Sequence, residues 1–315
     1  MNNFNKNKVN FYKVTEKDEN MRLDNLLIKI LIGVPKSHIY KIIRSGEIKV
    51  NQKKSIVNAK IKFGDIIRIP PIKISEKKPT KNIPIANFPV LFEDDYFLII
   101  NKPSGIACHG GSGVSFGIIE QLRKTLPTIN FLELAHRLDK ETSGILILAK
   151  KRSALVGLQE QIRNNQTKKI YLALIIGSWK DKSKNIKEPL YKYLTKDGER
   201  RVRIDKENGQ FAHTIFSLIQ KFEGFSLVKA DLKTGKTHQI RVHLQHIGTP
   251  IAGDTKYGDF EINKQLFKKG LKRMFLHAAE IIFIHPITKV EIKIKAELPQ
   301  DLSLFIDNLN TSNNN

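Results

Sequence analysis

The sequence is poor in cysteine, in long apolar runs and in acidic residues, and each shortage excludes something. One cysteine, Cys108, in 315 residues rules out an internal disulfide framework and suits a reducing cytosol, so a cytoplasmic protein is expected. No apolar stretch approaches the ~18 residues a membrane span needs. The opening MNNFNKNKVNFYKV lacks the apolar core of a signal peptide. Asp and Glu number 31 against 54 Lys and Arg, a formal charge of +23. Solubility alone does not require that much of one sign. A polyanionic partner does: nucleic acid first, an anionic membrane surface second. Abundant Lys, Asn and Ile can reflect genome composition, but that does not explain clustering. Residues 1–80 hold 18 basic and 7 acidic residues, so +11 falls in the first quarter of the chain.

The length exceeds the usual size of a single core and predicts two domains. Leu23, Leu26, Leu27, Ile30 and Leu31 form one helical stripe within 22–33. Pro35 can open a second helix, KSHIYKIIRSG, that buries Ile39, Ile42 and Ile43 and closes at Gly46. Short strands follow at EIKVNQ and DIIRIP. The spacing predicts an N-terminal extension over 1–20, a compact unit over 21–72 and a Lys- and Pro-rich linker over 73–88. A larger domain is expected over 89–305, with a disordered tail over 306–315. In that domain VLFEDDYFLIINKPSG reads as a hairpin turning at Asp94-Asp95, and 114–126 and 151–164 suit helices. ILILAK and KKIYLALIIG read as strands, and 199–232 as mostly strands. Thr237 can cap a helix running to His246. Helices and strands alternate irregularly with short turns. That favours an α+β fold with a mixed, mostly antiparallel sheet over a doubly wound parallel one.

Several stretches suggest chemistry that their surroundings do not support. His238, His243 and His246 lie within nine residues, but only His243 and His246 share a helix face, and zinc wants three or four converging ligands. Structural or RNA-contacting histidines are the better reading. Glu93-Asp94-Asp95 fits a hairpin turn better than a magnesium site. His109-Gly110-Gly111-Ser112-Gly113 lacks the lysine and hydroxyl of a nucleotide-binding loop and reads as a flexible rim. Ser143, His136 and Asp139 do not sit in a nucleophile elbow. What remains is HRLDKETSG (136–144), where Asp139 lies beside an apolar run.

Two resemblances account for these features. MRLDNLLIKI…VPKSHIYKIIRSGEIKVNQKK…FGDIIRIP resembles the alpha-L RNA-binding domain, and Lys36, His38 and Arg44 stand in its basic stretch as candidate RNA contacts. NKPSGIACHGG, HRLDKETSGILILAK, KKIYLAL, TGKTHQIRVHLQHIGTPIAGDTKYG and FLHAAEIIFIHP together resemble the ribosomal large-subunit pseudouridine synthases, most of all their C type. Lys236 stands where the family more often has arginine. The resemblance implies isomerisation of uridine to pseudouridine in 23S ribosomal RNA, with no metal and no cofactor. Oligomeric state is not readable from the sequence, and a monomer is the default. The resemblance also implies Asp139 as the essential carboxylate, attacking the ribose or removing a ribose proton, with Arg241 as its ion-pair partner. Tyr171 is implied to stack on the target base and to be a candidate for taking its C5 proton. Arg137 either fills the space left by the flipped nucleotide or contacts phosphate. His136, Lys102 and His109 are expected at the RNA-binding surface. The alternative is a non-catalytic, RNA-binding ribosome assembly factor; a metal-dependent nuclease is the third reading.

Overall fold

The computed structural model describes residues 8–31, 33–72, 83–111, 114–195 and 197–312. It divides into two compact units, Met1–Lys81 and Asn82–Asn315.

The first unit begins with β1 (Asn10–Lys13), followed by a short 3-10 turn at Glu16–Asp18, α1 (Leu23–Ile30) and α2 (Lys36–Arg44). β2 (Lys49–Val50), β3 (Lys53–Lys54) and β4 (Ile66–Ile69) complete a four-stranded sheet in the order β1-β4-β2-β3. The two helices meet through the predicted stripes: Leu23, Leu26, Leu27, Ile39, Ile42 and Ile43 are buried together with Ile67 and Ile69 of β4. Lys36, Lys41 and Arg44 are left on the exposed side of α2, and His38 is half-buried.

Expectation and structure differ at the start. Residues 8–18 are not an extension but the edge of this unit. β1 pairs with β4, and buried Asp18 accepts hydrogen bonds from Tyr12 Oη (2.6 Å), Thr15 Oγ1 (2.6 Å) and Lys29 Nζ (2.8 Å). Four strand residues give too short an alternation to read, and the anchoring carboxylate lies outside the strand. Of the expected linker, 73–82 lies outside the described residues. Residues 83–88 lead into the second unit, where Phe88 is buried.

The second unit opens with the hairpin β5 (Val90–Glu93) and β6 (Phe97–Lys102), then α3 (Ile118–Thr125), β7 (Glu133–Leu134), β8 (Ser143–Ala149), α4 (Arg152–Arg163) and β9 (Lys168–Ile176). β10 (Ser183–Ile186), the hairpin β11 (Leu190–Leu194) and β12 (Arg200–Ile204), β13 (Thr214–Phe222) and β14 (Phe225–Leu232) follow. The chain closes with α5 (Gln239–His246), α6 (Phe260–Lys268), β15 (Leu276–Ile284), β16 (Glu291–Lys295) and α7 (Gln300–Ser312). The central sheet runs β10-β13-β14-β9-β15-β8-β6-β5, with β16 on β15 and β7 on β8. Among the described residues only the β15–β8 pairing is parallel, which makes the sheet mixed and mostly antiparallel.

β8 is buried at all seven positions, because sheet neighbours and helices cover both its faces; its unbroken apolar run is the sequence record of that. Gly144 makes the parallel junction possible. Its φ is +110°, and a Cβ there would stand 2.2 Å from the carbonyl oxygen of Ala278 on β15. Just upstream lies the turn that carries Asp139.

The tail is a second correction. Residues 306–312 continue α7, and Leu302, Phe305, Ile306 and Leu309 form a stripe packed with Leu174 and Phe275. An Asn-rich ending concealed this i, i+3, i+4, i+7 pattern. β11 was not anticipated either; it pairs with β12 across five residue pairs.

Candidate active site

Asp139 sits in the turn before β8, closed by a hydrogen bond from Thr142 N to its carbonyl oxygen (3.1 Å). Two buried groups fix this turn from the side of loop 103–108. Lys102 Nζ donates to the carbonyls of Pro103 (2.8 Å), Ile106 (2.8 Å) and Lys140 (3.0 Å). Cys108 Sγ accepts from Leu138 N (3.2 Å) and donates to Leu138 O (3.3 Å). Burial lowers the Lys102 pKa to about 8 and raises that of the Cys108 thiol. Lys102 is fully buried, so the expectation of an RNA contact is corrected. The ammonium laces two loops together behind the site and has no face left for a phosphate.

The cation predicted for Asp139 arrives from 102 residues away. Arg241 Nη1 donates to Asp139 Oδ2 at 3.0 Å. The rest of the guanidinium grips Asp254 in a two-pronged pair, Nε to Oδ2 at 2.7 Å and Nη2 to Oδ1 at 2.8 Å. The Arg241 side chain is 5% exposed, that of Asp254 1% and that of Asp139 26%. Asp254 is thus the buried structural counter-ion, and Asp139 is the carboxylate that solvent reaches. Burial pushes the Asp254 carboxyl up, but the Arg241 guanidinium outweighs it and holds the group below its ordinary value. Burial alone would weaken the Arg241 charge, yet the two carboxylates raise its pKa above the usual arginine value. The backbone amides of Lys256 (2.9 Å) and Tyr257 (3.1 Å) also donate to Asp254 Oδ1, and the Tyr257 ring lies 4.9 Å from the guanidinium. Asp139 Oδ1 takes no hydrogen bond from a described residue.

Tyr171 stands on β9 between Ala230 of β14 and Ala278 of β15, two small neighbours that leave room beside its ring. It lines a pocket of about 100 Å³ with Asp139, Arg137, His238 and Arg241. Burial, and then the Asp139 charge, raise the phenol's pKa, so it is protonated at neutral pH. Arg137 is exposed at the rim, where its Nη1 donates to His109 Nε2 (2.8 Å); His109 Nδ1 bonds to the Gly110 carbonyl (2.7 Å). Ser112 and Gly113 of the glycine-rich stretch lie outside the described residues.

His136 is a further correction. Its Nε2 accepts from Ile147 N (3.2 Å), and burial, helped by the Lys169 charge, lowers its pKa to about 4. It is a neutral acceptor built into the sheet and does not line the pocket.

The three histidines of the 238–246 stretch go separate ways. His238 lines the pocket. His243 is buried, with Thr214 Oγ1 at 3.0 Å and the Glu188 carbonyl at 3.0 Å, and His246 is exposed. The expected Thr237 cap is absent: His238 itself is the N-cap, in the left-handed conformation (φ 55°, ψ 18°). Gln239 secures the preceding turn, accepting from Thr234 Oγ1 (2.8 Å) and Lys236 N (3.0 Å). Asp94 caps its hairpin turn by accepting from the amides of Tyr96 (2.7 Å) and Phe97 (2.6 Å). Ser143 bonds to His277 Nδ1 (2.9 Å), away from any triad.

Residues 96–246 match the family model described as RNA pseudouridylate synthase, and residues 21–67 match that of the S4 domain. The chain is 47% identical over 304 residues to the ribosomal large subunit pseudouridine synthase C of Pasteurella multocida, covering 95% of this chain and 93% of that one. It is 44% identical over 310 residues to the Escherichia coli K12 protein of the same name, covering 96% and 97%. The chain belongs to the ribosomal large-subunit pseudouridine synthase family. Among solved structures, human RNA pseudouridylate synthase domain containing 4 is similar at a TM-score of 0.59 and 26% identity, over 70% of this chain and 93% of that one.

In this synthase, sequence reasoning missed Asp254, Tyr257 and Cys108. All three lie in motifs carrying the family resemblance, GDTKYG and NKPSGIACHGG. Isolated polar residues in loops carry no periodic signal. The available hint was an acidic residue following the apolar Pro250-Ile251-Ala252 in a chain short of carboxylates.

Proposed function

We propose that this protein isomerises specific uridines of large-subunit ribosomal RNA to pseudouridine, with Asp139 as the reacting carboxylate. The observation that supports this reading most is the Asp139–Arg241 pair at 3.0 Å, set at a pocket shared with Tyr171. An ionised carboxylate beside an apolar core needs a fixed cation. Arg241 supplies it without consuming the carboxylate, because Asp254 neutralises the rest of the guanidinium.

The target nucleotide leaves its stack at a cost of roughly a few kcal/mol. Asp139 Oδ1 then either attacks the ribose carbon or removes a ribose proton. The glycosidic carbon–nitrogen bond breaks, the uracil turns, and its C5 bonds to the ribose. The C5 proton is the only group released. Tyr171 stacks on the base. To take the C5 proton its phenol must first pass its own proton on, and the Asp139 charge opposes that step. The opposition relaxes when the carboxylate is itself bonded or protonated. Arg137 holds the vacated space or a flanking phosphate. Lys36, His38 and Arg44 of the first unit contact phosphates, which bring affinity without sequence information.

Release of tritium from C5-labelled ribosomal RNA tests this reading. Release is expected in EDTA as well as in magnesium; no release in either defeats it. The RNA grip has its own test. The double substitution Lys36→Ala/Arg44→Ala should lower the slope of log K against log salt by roughly 1 to 2, about 0.9 for each phosphate no longer neutralised. An unchanged slope rejects phosphate binding by α2. A monomer is the default state we propose for the protein. Among the described residues no helix is long and apolar enough to cross a membrane. We place the protein in the cytoplasm with its substrate.

A further inference from the structure

Three observations converge on His238. Its backbone is left-handed, unusual for a side-chain-bearing residue and costing of order 1 kcal/mol or more. Its ring lies in the pocket with Nε2 3.8 Å from Asp139 Oδ2, the oxygen that Arg241 already holds. Its other nitrogen, Nδ1, is 2.7 Å from the Tyr257 hydroxyl. That hydroxyl accepts from Val202 N at 2.9 Å, so its single proton is free to point at Nδ1. An Nδ1 that accepts leaves the proton of the neutral imidazole on Nε2.

We propose that His238 is a positioning residue for Asp139, a neutral Nε2–H donor aimed at Oδ2 whose tautomer is set by Tyr257. The inference rests on the uridine isomerisation proposed above. Burial, with the Arg241 and Lys256 charges, lowers the His238 pKa against the opposing pull of Asp139, so the ring is uncharged at neutral pH. Arg241 and His238 then both address Oδ2, and Oδ1 is the oxygen presented to the ribose. A gap of 3.8 Å is too long for a hydrogen bond, and a shift of roughly 1 Å or less as RNA fills the pocket closes it. The left-handed backbone at His238 accompanies the ring's place between Tyr257 and Asp139.

Tyr257 is itself held from outside the pocket. Val202 belongs to β12, and that hairpin is tied to the Asp254–Tyr257 loop by Glu199, which pairs with Lys256 (2.6 Å) and Arg201 (2.8 Å). The hairpin is thereby linked through Tyr257 to the orientation of the reacting carboxylate.

The test uses His238→Asn in the full-length protein. Asparagine tolerates the left-handed backbone but is too short to reach Asp139. On an unmodified large-subunit RNA transcript, kcat should fall about tenfold to a hundredfold, the equivalent of one hydrogen bond to a charged group, with KM within about twofold of wild type. His238→Gln, whose amide can extend toward Oδ2, should recover part of that loss. Nitrogen-15 spectra of the wild-type imidazole should show the proton on Nε2 alone, and Tyr257→Phe should give a mixture of tautomers. A His238→Asn kcat within about twofold of wild type, a loss confined to KM or to folded fraction, or an Nδ1-protonated ring in the wild type overturns the proposal. A wild type that releases no tritium overturns the reaction instead, and the nitrogen spectrum then decides the tautomer on its own.

Discussion

Asp139→Asn should abolish turnover, by at least roughly a thousandfold in kcat, while RNA binding stays within about twofold of wild type. The substitution keeps shape and volume and removes only the charge. The group lost acts on the reacting atoms and not on the bound ground state, so the effect belongs in kcat. Folding should change little. The Asp139 side chain is 26% exposed, and Arg241 keeps both bonds to Asp254 when the charge at 139 is gone. Binding depends on phosphate contacts spread over a protein of net charge +23, to which one neutralised carboxylate adds little. Quench-flow turnover and filter binding on the same transcript separate the two quantities. Loss of binding, with turnover proportional to it, would make Asp139 a structural residue.

Arg241→Met should be damaging in a different way, costing stability as well as catalysis. It strands Asp254, 1% exposed, without its counter-ion, and breaking a buried pair by removing one partner costs about 3–5 kcal/mol. A midpoint lower by on the order of 10 °C is expected for a domain of this size. The pH dependence follows from the sign of the shift. In the wild type the folded Asp254 pKa lies below its unfolded value, so its contribution is present above about pH 4 and is lost as pH falls through the folded pKa. In Arg241→Met, burial loses its largest opponent, leaving only the amides of Lys256 and Tyr257 against it, and the pKa moves up. The variant is then penalised most at neutral pH, where the stranded carboxylate must ionise, and the gap to wild type narrows toward about pH 4. Thermal melts of both proteins from about pH 4 to pH 8 measure this gap. A constant gap would mean that Asp254 is not held by Arg241. The double change Arg241→Met/Asp254→Leu should recover stability without recovering activity, since the pair is removed together but Asp139 still lacks its cation.

What the sequence revealed, and what it concealed, follows from the range of the interactions. SGILILA could be read as a buried strand because all seven residues face protein. The α1 and α2 stripes could be read because their core partners repeat at helical spacing. The Asp139–Arg241 pair spans 102 residues, and no local pattern announces it. It was legible only because HRLD and THQIR recur in a known family. Lys102 was misread for a physical reason: lysine is normally exposed, and nothing local shows that three carbonyls will converge on one ammonium. His136 was misplaced because its acceptor role depends on the amide of Ile147, a partner set by strand pairing. Asp254 and Tyr257 escaped notice because their work is done for other residues. They hold Arg241 and His238 in place, and such support leaves no periodic trace.

Pseudouridine mapping of large-subunit ribosomal RNA, in cells lacking this gene and carrying either the wild-type or the Asp139→Asn copy, reaches the central claim most directly. A defined set of uridines should be left unmodified without the gene and restored by the wild type alone. Restoration by Asp139→Asn, or no change in the map when the gene is absent, would contradict that claim.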